Sequence, residues 1–242
     1  MFMRRLFDSE AGTPIESFFI ETETLPLRFI LQGRQLMYYH TLLNKSESEL
    51  VKRVYIAQRE FPSKNDWLSQ TKKTLLSCEF YISEDEIKKY SKYKFKKLVD
   101  SKVKQKAAEY LTELQMKLSK LKYLLQTNKM QEYLGSDNLT TEQKKMLFKM
   151  RIRMCPNKTN FKSMYQPDLS CSLCEETSST ESEHHLLCCP FLMKIPELGE
   201  EMKNIKYEDI FKDIKKQKRA VDVWITIFNI YNTEKDKRKN EK

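Results

Sequence analysis

The chain has 242 residues, 40% of them hydrophobic and 11% aromatic, enough to pack a core in one large domain or two small ones. Mean hydropathy is −0.67 and no run approaches eighteen apolar residues, which excludes a membrane-spanning helix. Four glycines (Gly12, Gly33, Gly135, Gly199) form no Gly-rich phosphate loop, so nucleotide cradles of that kind are excluded as well.

The opening Met1-Phe-Met-Arg-Arg-Leu-Phe-Asp lacks the apolar stretch of a secretory signal. An intracellular protein, nuclear or cytoplasmic, is expected, with its six cysteines serving as thiols or metal ligands. Residues 28–43 (RFILQGRQLMYYHTLL) are too long and continuous for a strand and predict a helix. Ser46-x-x-Glu49 is a capping-box pattern opening a helix that Pro62 stops, and Ser63 is positioned to cap the next one. Ser83-x-x-Glu86 is a second capping box. Then comes the strongest signal: Phe95, Leu98, Val99, Val103, Ala107, Tyr110, Leu111, Leu114, Leu118 and Leu121 recur at three- and four-residue steps. That stripe reads as core. A short helix should end near Gly135, and Thr140-x-x-Gln143 should cap another; from Cys155 to about Ser182 the chain reads as loop. Residues 221–231 alternate like a strand but also step like a helix through Trp224, Phe228 and Tyr231; helix is the expectation, with a frayed, charged end.

Net charge is +10, and it is unevenly placed. Between Lys88 and Lys162 there are twenty lysines and arginines against six acids, so the remainder is mildly acidic. A basic middle of this kind is an electrostatic footprint for nucleic acid. The densest part, Lys88 to Lys106, holds nine lysines and one acid, Asp100, with Tyr90, Tyr93 and Phe95 interleaved as stacking candidates. The competing reading is a solvated helix face with Phe95 in the core. Candidate phosphate contacts are Lys88, Lys89, Lys92, Lys94, Lys96, Lys97, Lys102, Lys104, Lys144, Lys145, Arg151, Arg153 and Lys158.

Four cysteines and two histidines crowd into Cys171 to Cys189 (CSLCEETSSTESEHHLLCC). Cys171-x-x-Cys174 can present two thiolates to one metal, and a His with a Cys one helical turn on can complete a tetrahedron. His185 with Cys189 and His184 with Cys188 have that i, i+4 relation, and His184 with Cys189, four residues intervening, is a third option used by zinc knuckles. Four protein ligands leave no position for water, so such a zinc site is structural. Glu175, Glu176, Glu181 and Glu183 make the segment acidic, a poor phosphate reader; its expected task is to pin the basic stretch Lys144 to Lys162 to the helical body. His40, Cys78 and Cys155 are isolated and read as packing residues.

Cys171-Ser-Leu-Cys174 followed by His184-His-Leu-Leu-Cys-Cys189-Pro190 resembles the zinc-binding segment near the C-terminus of non-LTR (LINE-type) retrotransposon reverse transcriptases. LPLRFILQGRQLMYYHTLLN (residues 25–44), ELVKRVYIAQ (49–58), MLFKMRIRM and Asn160-Phe161 are similar to the helical region those polyproteins place after the polymerase. The resemblance spans roughly residues 11–191. It implies zinc ligands at Cys171, Cys174, one of the two histidines, and Cys189; His185 is preferred, with His184 and Cys188 as alternates. It further implies a non-catalytic role on template RNA or target DNA beside an upstream polymerase domain. The chain has no Asp-Asp pair for polymerase metals, and Glu201-Met-Lys203 is an isolated nuclease-like triplet. No enzymatic activity, small-molecule substrate or membrane partner is expected.

The expectation is therefore an all-α helical bundle carrying a small zinc-stabilised CCHC loop–helix segment. Its divisions are an N-terminal extension (1–24), a helical domain with a basic long helix (25–135), a basic helix with the zinc segment (136–195), and C-terminal helices with a charged tail (196–242). The competing function is a zinc-stabilised protein–protein interaction module or a retroelement remnant, with Trp224, Phe228 and Tyr231 as a hydrophobic anchor if exposed.

Overall fold

The computed structural model describes residues 2–9, 12–118, 121, 124, 130–155, 157–160, 168–174 and 179–240. The fold is all-α: no strand forms among these residues, only one antiparallel bridge between Ser170 and Thr180. Among the described residues no helix is long and apolar enough to cross a membrane. Helices in chain order are α1 (Phe2–Leu6), α2 (Ile15–Thr22), α3 (Leu27–Leu43), α4 (Leu50–Glu60), α5 (Trp67–Ser77), α6 (Glu84–Lys89), α7 (Lys92–Lys117), α8 (Glu132–Gly135), α9 (Thr141–Arg151), α10 (Glu183–Cys188), α11 (Pro190–Met193), α12 (Pro196–Lys203) and α13 (Ile214–Asn240); a 3-10 turn, Tyr207–Phe211, precedes the last.

Two compact units emerge: Thr24–Lys117, and a second made of Met1–Glu23 together with Leu118–Lys242. The expected division at 24 falls within one residue of the start of the Thr24–Lys117 unit, whereas the units part after Lys117 and not at 135 or 195. The reason is packing: Phe7 and Phe18 from the first segment close against Phe148 of α9, with ring centroids 4.4 and 4.9 Å from it. Phe7 and Phe18 are thus core material for the second unit.

In the Thr24–Lys117 unit, α3 packs against α4, α5, α6 and α7. The predicted α7 stripe is buried at Phe95, Val99, Val103, Ala107 and Leu111, facing Leu36, Tyr39 and Leu43 of α3. Each fully buried side chain of that size contributes about 1.5–3 kcal/mol. The helix ends at Lys117, short of the Leu118 and Leu121 that the pattern included. His40 and Cys78 are buried here, and His40 Nε2 lies 2.9 Å from the Tyr90 carbonyl. Glu84 accepts both the Tyr39 and Tyr55 hydroxyls at 2.7 Å, tying α6 to α3 and α4.

Helix starts divide into two groups. Ser83 with Glu86, and Thr140 with Gln143, form reciprocal capping boxes. Ser46 does not cap α4, whose N-cap is Glu49; its hydroxyl sits 2.9 Å from Ser48 instead. Ser63 is displaced as a cap by Asp66, whose carboxylate accepts from Ser69 and from Ser63's own backbone N–H at 2.6 Å. An aspartate takes two charge-assisted bonds where a serine takes one. Helix ends use an unusual resource: Asp8, Glu79 and Arg153 adopt left-handed φ near +50°, positions that most chains give to glycine. After α9, Arg153 and Met154 donate to the Met150 and Lys149 carbonyls, closing its last turn.

In the second unit, α13 packs against α8, α9, α12 and the 3-10 turn. Residues 221–231 are helical, and α13 continues to Asn240, the last two residues of the charged end lying outside the described residues. Trp224, Phe228 and Tyr231 are buried, so they are core and not an exposed anchor.

Two helical glycines behave oppositely. A Cβ on Gly199 would run into the Met193 carbonyl, so α12 can approach α11 only through glycine. A Cβ on Gly33 would meet Val99 and Val103 at an ordinary 3.8 Å, so nothing in the packing demands glycine in mid-α3, where it costs about 1 kcal/mol of helix stability relative to alanine. Gly199→Ala should lower stability by about 1–3 kcal/mol, while Gly33→Ala should leave it unchanged or raised by up to about 1 kcal/mol; urea unfolding of both variants tests the contrast.

Candidate metal centre and basic surface

The metal-ligand candidates are assembled by a loop and a short helix. Cys171 donates its backbone N–H to Ser179 O and Glu181 donates to Leu169 O, a two-bond ladder that turns the loop back on itself. The Ser182 hydroxyl then caps α10 by accepting from the His185 N–H at 3.2 Å. His185 stands on the first turn of α10 and Cys189 just beyond its end, as the one-turn spacing requires.

One ligand atom from each of Cys171, Cys174, His185 and Cys189 lies within 4.8 Å of all the others. Cys171 Sγ and Cys189 Sγ are 4.0 Å apart, and Cys174 Sγ is 3.4 Å from His185 Nε2. Tetrahedral ligation with ordinary zinc–sulfur and zinc–nitrogen bonds requires edges of about 3.5–3.8 Å. The donor set and its spacing can therefore hold a metal ion. The contact between these two buried sulfurs, with burial, pushes the Cys171 pKa up, and the same contact lowers that of Cys189. The alternates point elsewhere. His184 packs its ring on Tyr207 at 5.5 Å, and the exposed Cys188 thiol donates to the His184 carbonyl. Cys155 is fully buried, which raises its pKa well above the usual thiol value, as suits a packing residue.

Of the four glutamates that make this segment acidic, the two described are internal. Glu175 and Glu176 lie outside the described residues, as does Phe161. Glu181 is completely buried and accepts from the Lys158 and Ser172 backbone N–H groups at 2.9 Å and from the Tyr231 hydroxyl at 2.8 Å. It thereby joins the loop after α9, the Cys171–Cys174 turn and α13. Glu183 is buried too, accepting from Asn160 Nδ2 at 2.5 Å. Sequence reasoning missed the role of Glu181 because nothing in its spacing distinguishes it from Glu175 or Glu176.

Among the thirteen basic candidates, Arg151 is a clear correction. It is 2% exposed and its Nε donates to both oxygens of a fully buried Glu21 at 3.1 and 3.2 Å. Nη1 donates to the Ile210 carbonyl and Nη2 to Gln131 Oε1. Burial pushes the Glu21 carboxyl up, and the guanidinium pulls against that. All three of its nitrogens donate inside the protein, and its burial leaves it out of reach of a phosphate. Lys88, Lys102 and Lys158 are engaged with Asp85, Glu79 and Asp168 at 3.2, 3.8 and 3.2 Å. Lys144, Lys145 and Arg153 are half-buried, and Arg153 lies 6.0 Å over the Tyr207 ring. Lys89, Lys92, Lys94, Lys96, Lys97 and Lys104 are exposed and have no ion-pair partner among the described residues. Of the interleaved rings, Phe95 is wholly buried, while Tyr93 is 65% exposed and carries Lys97 at 4.7 Å.

No protein-family model, curated protein or solved structure matches the chain.

Arg151→Ala should destabilise the protein by about 3–5 kcal/mol, because it strands a buried carboxylate. The double variant Arg151→Met/Glu21→Leu should recover much of that loss in urea unfolding, since an apolar pair replaces the buried charges together.

Proposed function

We propose that the chain is a non-catalytic nucleic-acid-binding module of the kind the resemblance implies for the C-terminal region of a LINE-type reverse transcriptase, acting on template RNA or target DNA. The observation that carries the reading is the set of exposed lysines without an ion-pair partner among the described residues, Lys89, Lys92, Lys94, Lys96, Lys97 and Lys104, in a stretch with the single acid Asp100. Cations without intramolecular partners are free to replace condensed counterions on a phosphate backbone. The exposed Tyr93 adds a ring on which an unpaired base can stack.

Zinc is the ion that a Cys₃His set of this spacing favours, because three thiolates and an imidazole suit a soft tetrahedral site. In this reading Cys171, Cys174, His185 and Cys189 hold the zinc, and the ion has a structural role. It fixes the Cys171–Cys174 turn and the start of α10, and through Glu181 it stabilises the loop carrying Lys158 and the Tyr231 face of α13. Folding of this segment is then linked to metal and to thiol deprotonation.

Purified chain should contain one zinc. Cys171→Ser and His185→Ala should lose it, whereas His184→Ala and Cys188→Ser should keep it; metal analysis that shows retention in the first two variants would remove the ligand assignment. For nucleic acid, anisotropy with a labelled duplex should give log K falling against log salt with a slope of about −5, as about six neutralised phosphates require. Replacing Lys89, Lys92, Lys94 and Lys97 by alanine should flatten that slope by about 3–4. An unchanged Kd in that variant, or a wild-type slope near zero, rules against the reading.

A further inference from the structure

Between α3 and α7 runs an open groove of about 320 Å³ whose exposed lining is mostly apolar. Its floor is made by Phe29, Ile30, Met37 and Val103, and its rim carries Arg34, Lys96 and Lys104 against one acid, Asp100. All three rim cations are exposed and without an ion-pair partner among the described residues. Leu27 and Leu31, at one-turn steps on the same helix, add further exposed apolar surface.

Gly33 makes the groove more than a chance gap. It sits in the interior of α3 with an ordinary helical backbone, and a Cβ there would clash with nothing. The helix is weaker for having it. What its missing side chain does provide is space, since any larger residue at 33 would fill the groove it lines.

We propose that this groove docks an acidic amphipathic helix from a partner protein. The mode is a helix laid in an apolar groove, with apolar side chains inward and charges meeting the rim. Lys96 and Lys104 are eight residues apart, about 12 Å or two turns along α7, with Asp100 midway. The complementary ligand has carboxylates about two turns apart on its flank and a neutral or basic residue between them, opposite Asp100. A nucleobase is a poorer occupant. The Phe29 ring is already covered by Arg28 at 4.4 Å and packs on Tyr110 at 5.8 Å, so it leaves no open aromatic face. The apolar floor also leaves the polar edges of a base without partners. The two readings share Lys96 and Lys104 and are told apart by Lys89, Lys92, Lys94 and Lys97, which do not line the groove.

The test uses the full chain and a labelled sixteen-residue helix-forming peptide with leucines on one face, two glutamates seven residues apart on its flank and one lysine midway. A control peptide carries lysine in place of both glutamates. The acidic peptide should bind at least tenfold tighter than the control. Gly33→Leu should weaken it tenfold or more; because a side chain there also meets Val99 and Val103, Ile30→Glu at an exposed lining position should weaken it likewise with Tm within a few degrees of the wild type. Lys96→Glu and Lys104→Glu, both on exposed positions, should each weaken it as well. Equal affinity for the two peptides overturns the proposal, as does undiminished binding to Gly33→Leu. If Gly33→Leu instead abolishes binding of a single-stranded oligonucleotide and spares the peptide, the groove belongs to nucleic acid and the proposal is equally overturned.

Discussion

The buried guanidinium of Arg151 is the knot of the second unit. Its Nε engages Glu21 from the start of the chain, Nη2 engages Gln131 ahead of α8, and Nη1 engages the 3-10 turn at Ile210. Gln131 in turn donates its backbone N–H to the Glu21 carbonyl. Three segments distant in sequence are fixed by one fork of donors, and the aromatic cluster of Phe7, Phe18 and Phe148 closes beside them. Hydrophobic burial supplies most of the driving force. The paired charges add a geometric condition, since a slipped α9 would leave a carboxylate and a guanidinium unpaired in a dry interior.

Periodicity made the helices legible. The α7 stripe, the two capping boxes and the stop at Pro62 rest on local rules that tertiary context had no reason to override. Where two local rules competed, the stronger acceptor won, as Asp66 did over Ser63. The Cys171-x-x-Cys174 and His185…Cys189 pairing was legible as spacing; only the fold separates it from His184 and Cys188, whose side chains leave the same short helix in other directions. Burial of charge was the illegible part. Arg151 and Arg153 read alike, as do Glu181 and Glu175. What separates Arg151 is a carboxylate 130 residues away, and no local pattern encodes such a pair.

Charge in this protein therefore has two uses that composition alone blends into one figure. In the second unit, Glu21, Arg151, Glu181 and Glu183 are internal fasteners. In the unit Thr24–Lys117, one face of α7 builds the core while Lys92, Lys94, Lys96, Lys97 and Lys104 remain in solvent. The same helix thus bears both stability and surface potential, and substitutions at its exposed lysines leave the Phe95–Leu111 stripe untouched.

The interleaving of the two units in the chain has a consequence for synthesis. Residues 24–117 hold their whole core in one continuous stretch and can close it as soon as α7 has left the ribosome. The earlier-made Phe7, Phe18 and Ile20 cannot be covered then, because Phe148 of α9 and the buried face of α13 have yet to be translated. At elongation rates of about 5–20 residues per second, that wait is on the order of ten seconds. A nascent chain would carry an uncovered aromatic segment throughout, ahead of a unit already folded. The candidate metal ligands emerge before α13 does, so any ion they take can be captured and the Cys171–Cys189 loop set before the last helix arrives to receive Glu181 through Tyr231.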